Sequence, residues 1–173
     1  MNRKLYDKFA NYYLDKFKKY KDLKIKVTIP VDGIMHIEIG TSLPSFCYFF
    51  GLFNNMAVFD GINVCDDGIE FDDINTVDTQ KIYNLIDEEF KKISAIIEGG
   101  IFMFCYKDGQ EEVATSTDVL DRNKLLKNLD IREFYNKNKV KVDPPFEELD
   151  RIELKDFYNN VVYEYDVSKK EER

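Results

Sequence analysis

The sequence predicts an α+β fold in which an antiparallel, meander-like sheet is packed by an N-terminal amphipathic helix and a central helix, with shorter helices toward the C-terminus. Two long segments carry apolar residues at helical spacing, and several short segments alternate apolar and polar residues between turn signals. Hydrophobic residues make up 44% of the chain and aromatic residues 14%, which is typical of a packed core. At 173 residues, a single domain over 1–173 is expected, with a frayed charged tail at 168–173.

The first helix is predicted over residues 3–21. Its apolar stripe consists of Leu5, Phe9, Tyr12, Tyr13, Phe17 and Tyr20, and lysines fill the opposite face. We expect the stripe to dock on the sheet. A basic amphipathic helix also suits a membrane surface or an acidic partner, and a further arrangement would turn its lysines toward acidic residues of the same fold.

A hairpin is predicted next, with Val31-Asp32-Gly33 as its loop, because Gly33 accepts the left-handed conformation that such a loop needs. The register pairs Pro30 with Ile34, Thr28 with His36 and Lys26 with Glu38. This register places six apolar residues on one face, namely Ile25, Val27, Ile29, Met35, Ile37 and Ile39. A slip of one residue would mix the two faces, so the register is well specified.

The meander is expected to continue through four further short strands, at residues 46–53, 56–59, 62–64 and 69–71. The turn signals between them are Asn54-Asn55, Asp60-Gly61 and Cys65-Asp66-Asp67-Gly68. In this interpretation the acidic residues of the region lie mostly in turns.

The central helix is predicted over residues 79–98, with Asp78 as its N-cap and Gly99-Gly100 as its end. The elements expected after it are a strand at 101–106, its return partner at 111–115, short helices at 119–129 and 131–137, a brief strand or extended piece at 139–142, a helix at 146–158 and a final strand at 161–167. Pro144-Pro145 excludes a regular element just before residue 146.

The cysteines and the N-terminus indicate a soluble, cytoplasmic protein. Cys47, Cys65 and Cys105 form no Cys-x-x-Cys pair, and an odd count does not indicate a disulfide framework. The first 20 residues lack the contiguous apolar stretch of a signal peptide. The most apolar segment, residues 46–59, is too short to cross a bilayer.

Motifs that would indicate a catalytic or metal site are weak, and we assign no catalytic residue, metal or cofactor. His36 is the only histidine and would lie beside Glu38, but with no activated nucleophile nearby it reads as an ordinary surface residue. Asp66, Asp67, Asp72 and Asp73 do not follow calcium-loop spacing. The chain is therefore more readily interpreted as a binding protein than as an enzyme.

One short motif, Glu153-Leu154-Lys155 preceded by Asp143 or Asp150, resembles the carboxylate–lysine set of many nucleases. Glu89-Phe90-Lys91 matches the same pattern. Those nucleases carry the set on strands, whereas both matches fall on predicted helices, which disfavours the nuclease hypothesis. An isoelectric point near 4.8 also disfavours direct nucleic-acid binding.

The distribution of charge is the most informative feature. Residues 1–26 carry a net charge of +6, whereas residues 27–80 contain nine carboxylates and neither Lys nor Arg. The partner-binding residues that we predict are Asp60, Asp66, Asp67, Glu70, Asp72, Asp73 and Asp78. Clustered like charges gain nothing for folding but complement a basic partner.

The preferred hypothesis is a non-catalytic protein that docks on and blocks a basic surface of another protein, such as a nuclease or another nucleic-acid-handling enzyme. Toxin-immunity proteins and phage-encoded inhibitors of host defence are analogous as a class only. One alternative is an enzyme whose site is assembled from dispersed carboxylates, with metal assistance and participation of His36. The other is a structural or oligomeric component in which the first helix packs against a neighbouring chain. The oligomeric state does not follow from the sequence.

Overall fold

The computed structural model describes residues 3–28, 35–40, 47–53, 55–61, 64–117 and 121–171. Within these ranges it has the α+β fold that the sequence predicts, with four α-helices and two antiparallel sheets in place of a single meander. The chain separates into two compact units, Met1–Ser94 and Ala95–Arg173. The expectation of a single domain stays a prediction. No helix in the described ranges is both long and apolar enough to span a membrane.

The first unit contains a five-stranded sheet with strand order β1-β2-β3-β4-β5. Its elements are α1 (Arg3–Phe17), β1 (Lys24–Thr28), β2 (Met35–Gly40), β3 (Cys47–Leu52), β4 (Met56–Gly61), β5 (Val64–Glu70) and most of α2 (Thr79–Gly99). The register of β1 and β2 is the predicted one, with Lys26 opposite Glu38 and Thr28 opposite His36. Pro30 and Ile34 lie outside the described residues.

Aromatic rings join α1 to the sheet of the first unit. Phe50 and Phe59 are cross-strand neighbours and stack with 4.5 Å between ring centroids. The Tyr13 ring of α1 lies 5.0 Å from Phe50 and 5.6 Å from Phe59. All three are fully buried, so the stripe of α1 docks on the sheet as predicted.

Helices α1 and α2 lie side by side and run in the same direction. Phe9 of α1 contacts Tyr83, and Phe17 contacts Phe90 about two turns further along both helices. Beyond the end of α1, the Tyr20 hydroxyl donates to Ser94 Oγ at 2.8 Å. The aromatic stripe of α1 therefore packs against α2 as well as against the sheet.

The second unit contains a four-stranded sheet with strand order β7-β6-β8-β9. Its elements are β6 (Ile101–Lys107), β7 (Gln110–Thr117), α3 (Arg122–Lys127), α4 (Ile131–Asn138), a 3₁₀ turn (Phe146–Glu148), β8 (Arg151–Lys155), β9 (Val161–Asp166) and a second 3₁₀ turn (Ser168–Glu171). Its core contains Ile101, Met103, Cys105, Ile131, Phe134, Tyr135, Phe146, Leu149, Ile152 and Leu154.

Several predicted elements differ from the structure. One of them is Asp60-Gly61, predicted as a turn, which lies inside β4. The segment 146–158, predicted as a helix, is a 3₁₀ turn followed by strand β8. Residues 65–68, predicted as a turn, lie inside β5, and Gly68 pairs with Val58 of β4. The sequence predicts a brief strand or an extended piece at residues 139–142. Lys139 is extended, but residues 140–143 form a turn in which Asp143 Oδ2 accepts from the Val140 backbone N–H.

Candidate functional site

The predicted acidic residues occupy two adjacent strands and the connector that follows them. Asp60 lies in β4, and Asp66, Asp67 and Glu70 lie in β5, so these four are in strands and not in turns. Asp72, Asp73 and Asp78 lie in the connector between β5 and α2. The side chains of Asp60, Asp66 and Asp67 are outside the described parts of the structure.

Asp73 shapes the connector. Its Oδ1 accepts hydrogen bonds from the backbone N–H and the side-chain amide of Asn75, both at 2.8 Å. Its backbone oxygen accepts from the N–H groups of Thr76 and Val77 at 3.0 Å. The neighbouring Ile74 is 1% exposed and anchors the connector in the core. Asp73 therefore has a folding role that requires no partner.

Asp78 caps α2, as the sequence predicts. Its Oδ1 accepts from the Gln80 backbone N–H at 3.0 Å, and its backbone oxygen accepts from the Lys81 N–H. A carboxylate at this position satisfies an N–H that the helix leaves unpaired, and it also interacts favourably with the helix dipole. This acid too is explained by local structure.

Glu70 and Asp72 have no such role. Both are exposed, and neither side-chain carboxylate forms a hydrogen bond or ion pair with any other residue in the described ranges. The backbone between them is fixed, because the Phe71 N–H donates to the Asn55 oxygen at 2.8 Å. We call Glu70, Asp72, Asp73 and Asp78 the acidic connector; two of its four carboxylates point into water from a fixed backbone.

Lysines of α1 engage α1 and α2. Lys16 forms an ion pair with Asp87 of α2, which also accepts from the Tyr12 hydroxyl at 2.8 Å. Although burial alone would raise the pKa of Asp87, the hydrogen bonds from Lys16 and Tyr12 outweigh it and lower that pKa. Lys18 pairs with Asp15, and Lys8 lies 5.5 Å from the Tyr83 ring centroid. The partners of these three cations therefore lie on α1 and α2 and not in the acidic connector.

His36 lies in β2, opposite Thr28 of β1 and Gly51 of β3. Its side chain is outside the described parts of the structure, as is that of Cys47. The interpretation of His36 as an ordinary surface residue stays a prediction.

The second unit contains a half-buried charged cluster that the sequence did not predict. Glu153 of β8 is 8% exposed and accepts from the Tyr106 hydroxyl at 2.9 Å. It pairs with Lys155 at 3.1 Å and with Arg151 at 3.2 Å. Arg151 also reaches Glu164 of β9 at 3.9 Å. Tyr106, Arg151, Glu153, Lys155 and Glu164, which we call the Glu153 cluster, share one face of the sheet.

The opposite charges of the Glu153 cluster stabilise one another. Burial alone would raise the pKa of Glu153, but the hydrogen bonds from Lys155 and Tyr106, together with the charges of Lys155 and Arg151, lower it. Burial and the neighbouring Glu153 raise the pKa of the Tyr106 phenol. Glu153 is therefore ionised and Tyr106 neutral at pH 7. The signal that could have revealed the cluster is alternation along β8, where Ile152 and Leu154 separate the three charged residues.

The strand position of Glu153 and Lys155 removes the objection that the sequence raised against a nuclease-like motif. The remaining acids of that motif are engaged elsewhere: Asp143 Oδ2 accepts from the Val140 N–H at 2.6 Å, and Asp150 Oδ2 accepts from the Gly109 N–H at 3.0 Å. Within the ranges that the structure describes, no three His, Cys, Asp or Glu side chains converge as metal ligands. Both oxygens of Glu153 contact cations or Tyr106, so the cluster has a structural explanation.

Comparison of this chain with protein-family models, curated proteins and solved structures gave no match.

Proposed function

We propose that this protein binds a basic surface of another protein through the acidic connector and the adjacent edge strand β5, and that it acts by occupying that surface, without catalysis. The observation that carries the proposal is the pair of exposed carboxylates of Glu70 and Asp72, which make no ion pair with other described residues. A nuclease or another nucleic-acid-handling enzyme is the kind of target whose working surface is basic.

The fixed backbone supports a docking role. Ile74 is buried, Asp73 closes the turn after β5, and Asp78 caps α2, so the connector is held at three successive points. Charges on a rigid segment lose little conformational entropy on binding. Surface charge of one sign also steers a partner of the opposite sign and raises its association rate.

The cellular location of the protein is part of the same proposal. We propose a cytoplasmic protein, since the odd number of cysteines does not suit a disulfide framework and Cys105 is a buried free thiol.

The test compares three immobilised full-length proteins exposed to extract of the native cell at low and at moderate salt. They are the wild type, a Glu70→Lys/Asp72→Lys variant, and a Glu111→Lys/Glu112→Lys control with the same change in charge. Glu111 and Glu112 are adjacent exposed acids of β7. Captured proteins are quantified by mass spectrometry, and the affinity of each is then measured with purified protein.

We expect a basic protein that the wild type and the control retain at low salt and that the Glu70/Asp72 variant loses. Its affinity for that variant should fall about tenfold, mainly through a slower association rate. Equal capture by all three proteins, or loss from the control alone, would show that the acidic connector is not the docking surface.

A further inference from the structure

Strand β1 forms the edge of the first unit's sheet opposite to β5, and in the described residues it pairs with β2 alone. An edge strand presents unpaired N–H and C=O groups along its open side. Within β1, Lys24, Ile25, Lys26 and Val27 are all exposed. The strand therefore offers both a backbone edge and side chains on two faces.

The exposed apolar residues of β1 lie on the face of the sheet that α1 covers. Val27 is opposite Ile37 of β2, and Ile37 is opposite Phe50, whose ring packs against Tyr13 of α1. Ile37 and Phe50 are 0% exposed, whereas Val27 is 41% and Ile25 44% exposed. The apolar face of the sheet is therefore buried at β2 and β3 and exposed at β1.

The opposite face of β1 carries two lysines, Lys24 and Lys26, which alternate with the apolar residues. Lys26 stands opposite Glu38 of β2, whereas Lys24 stands opposite Gly40, which has no side chain to compensate its charge. Lys21 adds a further exposed cation just before the strand. Charge on this face favours acidic side chains in any strand added beside β1.

We propose that β1 binds an extended segment of a partner protein in which acidic and apolar residues alternate, and that this segment adds a sixth strand to the sheet. Main-chain hydrogen bonds to the open edge hold the segment. Its apolar side chains pack beside Ile25 and Val27, and its acidic side chains lie on the face that carries Lys24. This inference does not depend on the proposed function, which uses the opposite edge of the sheet.

The probe is a nine-residue peptide of alternating Glu and Val, acetylated, amidated and labelled for fluorescence anisotropy with the full-length protein. One control peptide has the same composition with its Glu and Val residues in two blocks, and a second alternates Lys and Val. We expect saturable binding of the Glu–Val peptide, and affinities at least about tenfold lower for both controls, because neither places acids on one face and valines on the other next to β1.

The protein variants test each face separately. Ile25→Thr/Val27→Thr keeps β-branched residues while it removes apolar surface, and it should lower the affinity for the Glu–Val peptide about tenfold. Lys24→Glu should lower the affinity for the Glu–Val peptide several-fold and raise the affinity for the Lys–Val peptide. Val161→Thr is the matched control, because Val161 is 49% exposed on β9, an edge strand of the other sheet; it should bind like the wild type.

Hydrogen exchange shows where the peptide binds. The Glu–Val peptide should slow exchange of the amides in Lys24–Thr28, and the Glu70→Lys/Asp72→Lys protein should show the same protection. Absence of saturable binding, equal binding of the block peptide, or protection confined to other strands would overturn the proposal. A concentration-dependent dimer that Ile25→Thr/Val27→Thr abolishes and the peptide does not dissociate would instead assign β1 to a second copy of this chain.

Discussion

Removal of the Glu153 carboxylate should destabilise the protein more than removal of any exposed acid. Glu153 is the acceptor for Tyr106, Lys155 and Arg151, and its side chain is only 11% exposed. A Glu153→Ala change would leave Lys155, 14% exposed, without its carboxylate and would leave the Tyr106 hydroxyl without its acceptor. The loss therefore combines unpaired polar groups with a small cavity.

The size of the effect follows from the burial of the partners. Loss of one member of a fully buried pair costs about 3–5 kcal/mol, and the partial exposure of Lys155 and Arg151 reduces this to about 2–4 kcal/mol. For a chain of this length, that corresponds to a fall in melting temperature of about 5–15 °C. Glu153→Gln keeps the shape and an acceptor for Tyr106 but loses the charge, so it should cost about 1–2 kcal/mol.

Denaturant unfolding of five proteins tests this reasoning: the wild type, Glu153→Ala, Glu153→Gln, Glu153→Met/Lys155→Met and Glu164→Gln. The double variant replaces the pair by apolar groups but still leaves the Tyr106 hydroxyl without its acceptor, so it should regain only part of the lost free energy of unfolding. Glu164, 56% exposed, pairs with Arg151 at 3.9 Å, so its variant should lose less than about 0.5 kcal/mol. A Glu153→Ala loss as small as that of Glu164→Gln would refute the structural role of the cluster.

The contribution of Glu153 to the free energy of unfolding should also depend on pH. The folded state lowers the pKa of this carboxyl from its ordinary 4.5. The stabilisation by the carboxylate is therefore complete at pH values above the pKa of the unfolded state, and it is lost as the pH falls through the pKa of the folded state. The difference in unfolding free energy between the wild type and Glu153→Gln should therefore be full at pH 7 and should narrow below about pH 4.5. A difference that grows on acidification would contradict the assigned sign.

Three further predictions concern single positions. Gly68→Ala should lose about 1–3 kcal/mol in denaturant unfolding, since its Cβ would lie 2.6 Å from the Ala57 backbone oxygen; a loss below about 0.5 kcal/mol would show that β4 can yield. Asp78→Ala should cost about 1 kcal/mol as a lost N-cap, whereas Asp72→Ala should cost less than about 0.5 kcal/mol; equal losses would contradict the cap. Burial and the charge of Asp143 raise the pKa of Cys105 to about 12, so peptide mapping after treatment with a thiol reagent at pH 8 should find Cys105 unmodified until denaturant is added.

The fold class and the first hairpin could be predicted because several local signals agree. Alternation fixes the faces of β1 and β2, and a one-residue slip would expose Ile37, which is 0% exposed. The central helix could be predicted from its stripe, and the structure places it at Thr79–Gly99 with Asp78 as its cap. In both cases the periodicity and the boundary signals point to the same element.

The errors arose where a local signal conflicted with pairing between strands. Asp67-Gly68 has the chemistry of a turn, but Gly68 serves a close approach between strands, because a Cβ there would collide with β4. Phe146, Leu149 and Ile152 are spaced three apart and imitate a helix. The backbone follows the alternation of Ile152 and Leu154 instead, because β8 pairs with both β6 and β9 and thereby satisfies its hydrogen bonds.

The acidic connector separates acids that serve folding from acids that do not, and this distinction yields a last prediction. Asp73 and Asp78 are hydrogen-bonded within the connector, whereas Glu70 and Asp72 gain nothing from their position and repel their neighbours. Glu70→Gln/Asp72→Asn should therefore raise the free energy of unfolding by a few tenths of a kcal/mol, measured in low salt, and should weaken binding to the basic partner. The two effects have opposite signs because the charge that serves a partner is a cost to the isolated fold. A variant that loses stability as well as binding would show that these two carboxylates belong to the fold and would leave the docking proposal without its main support.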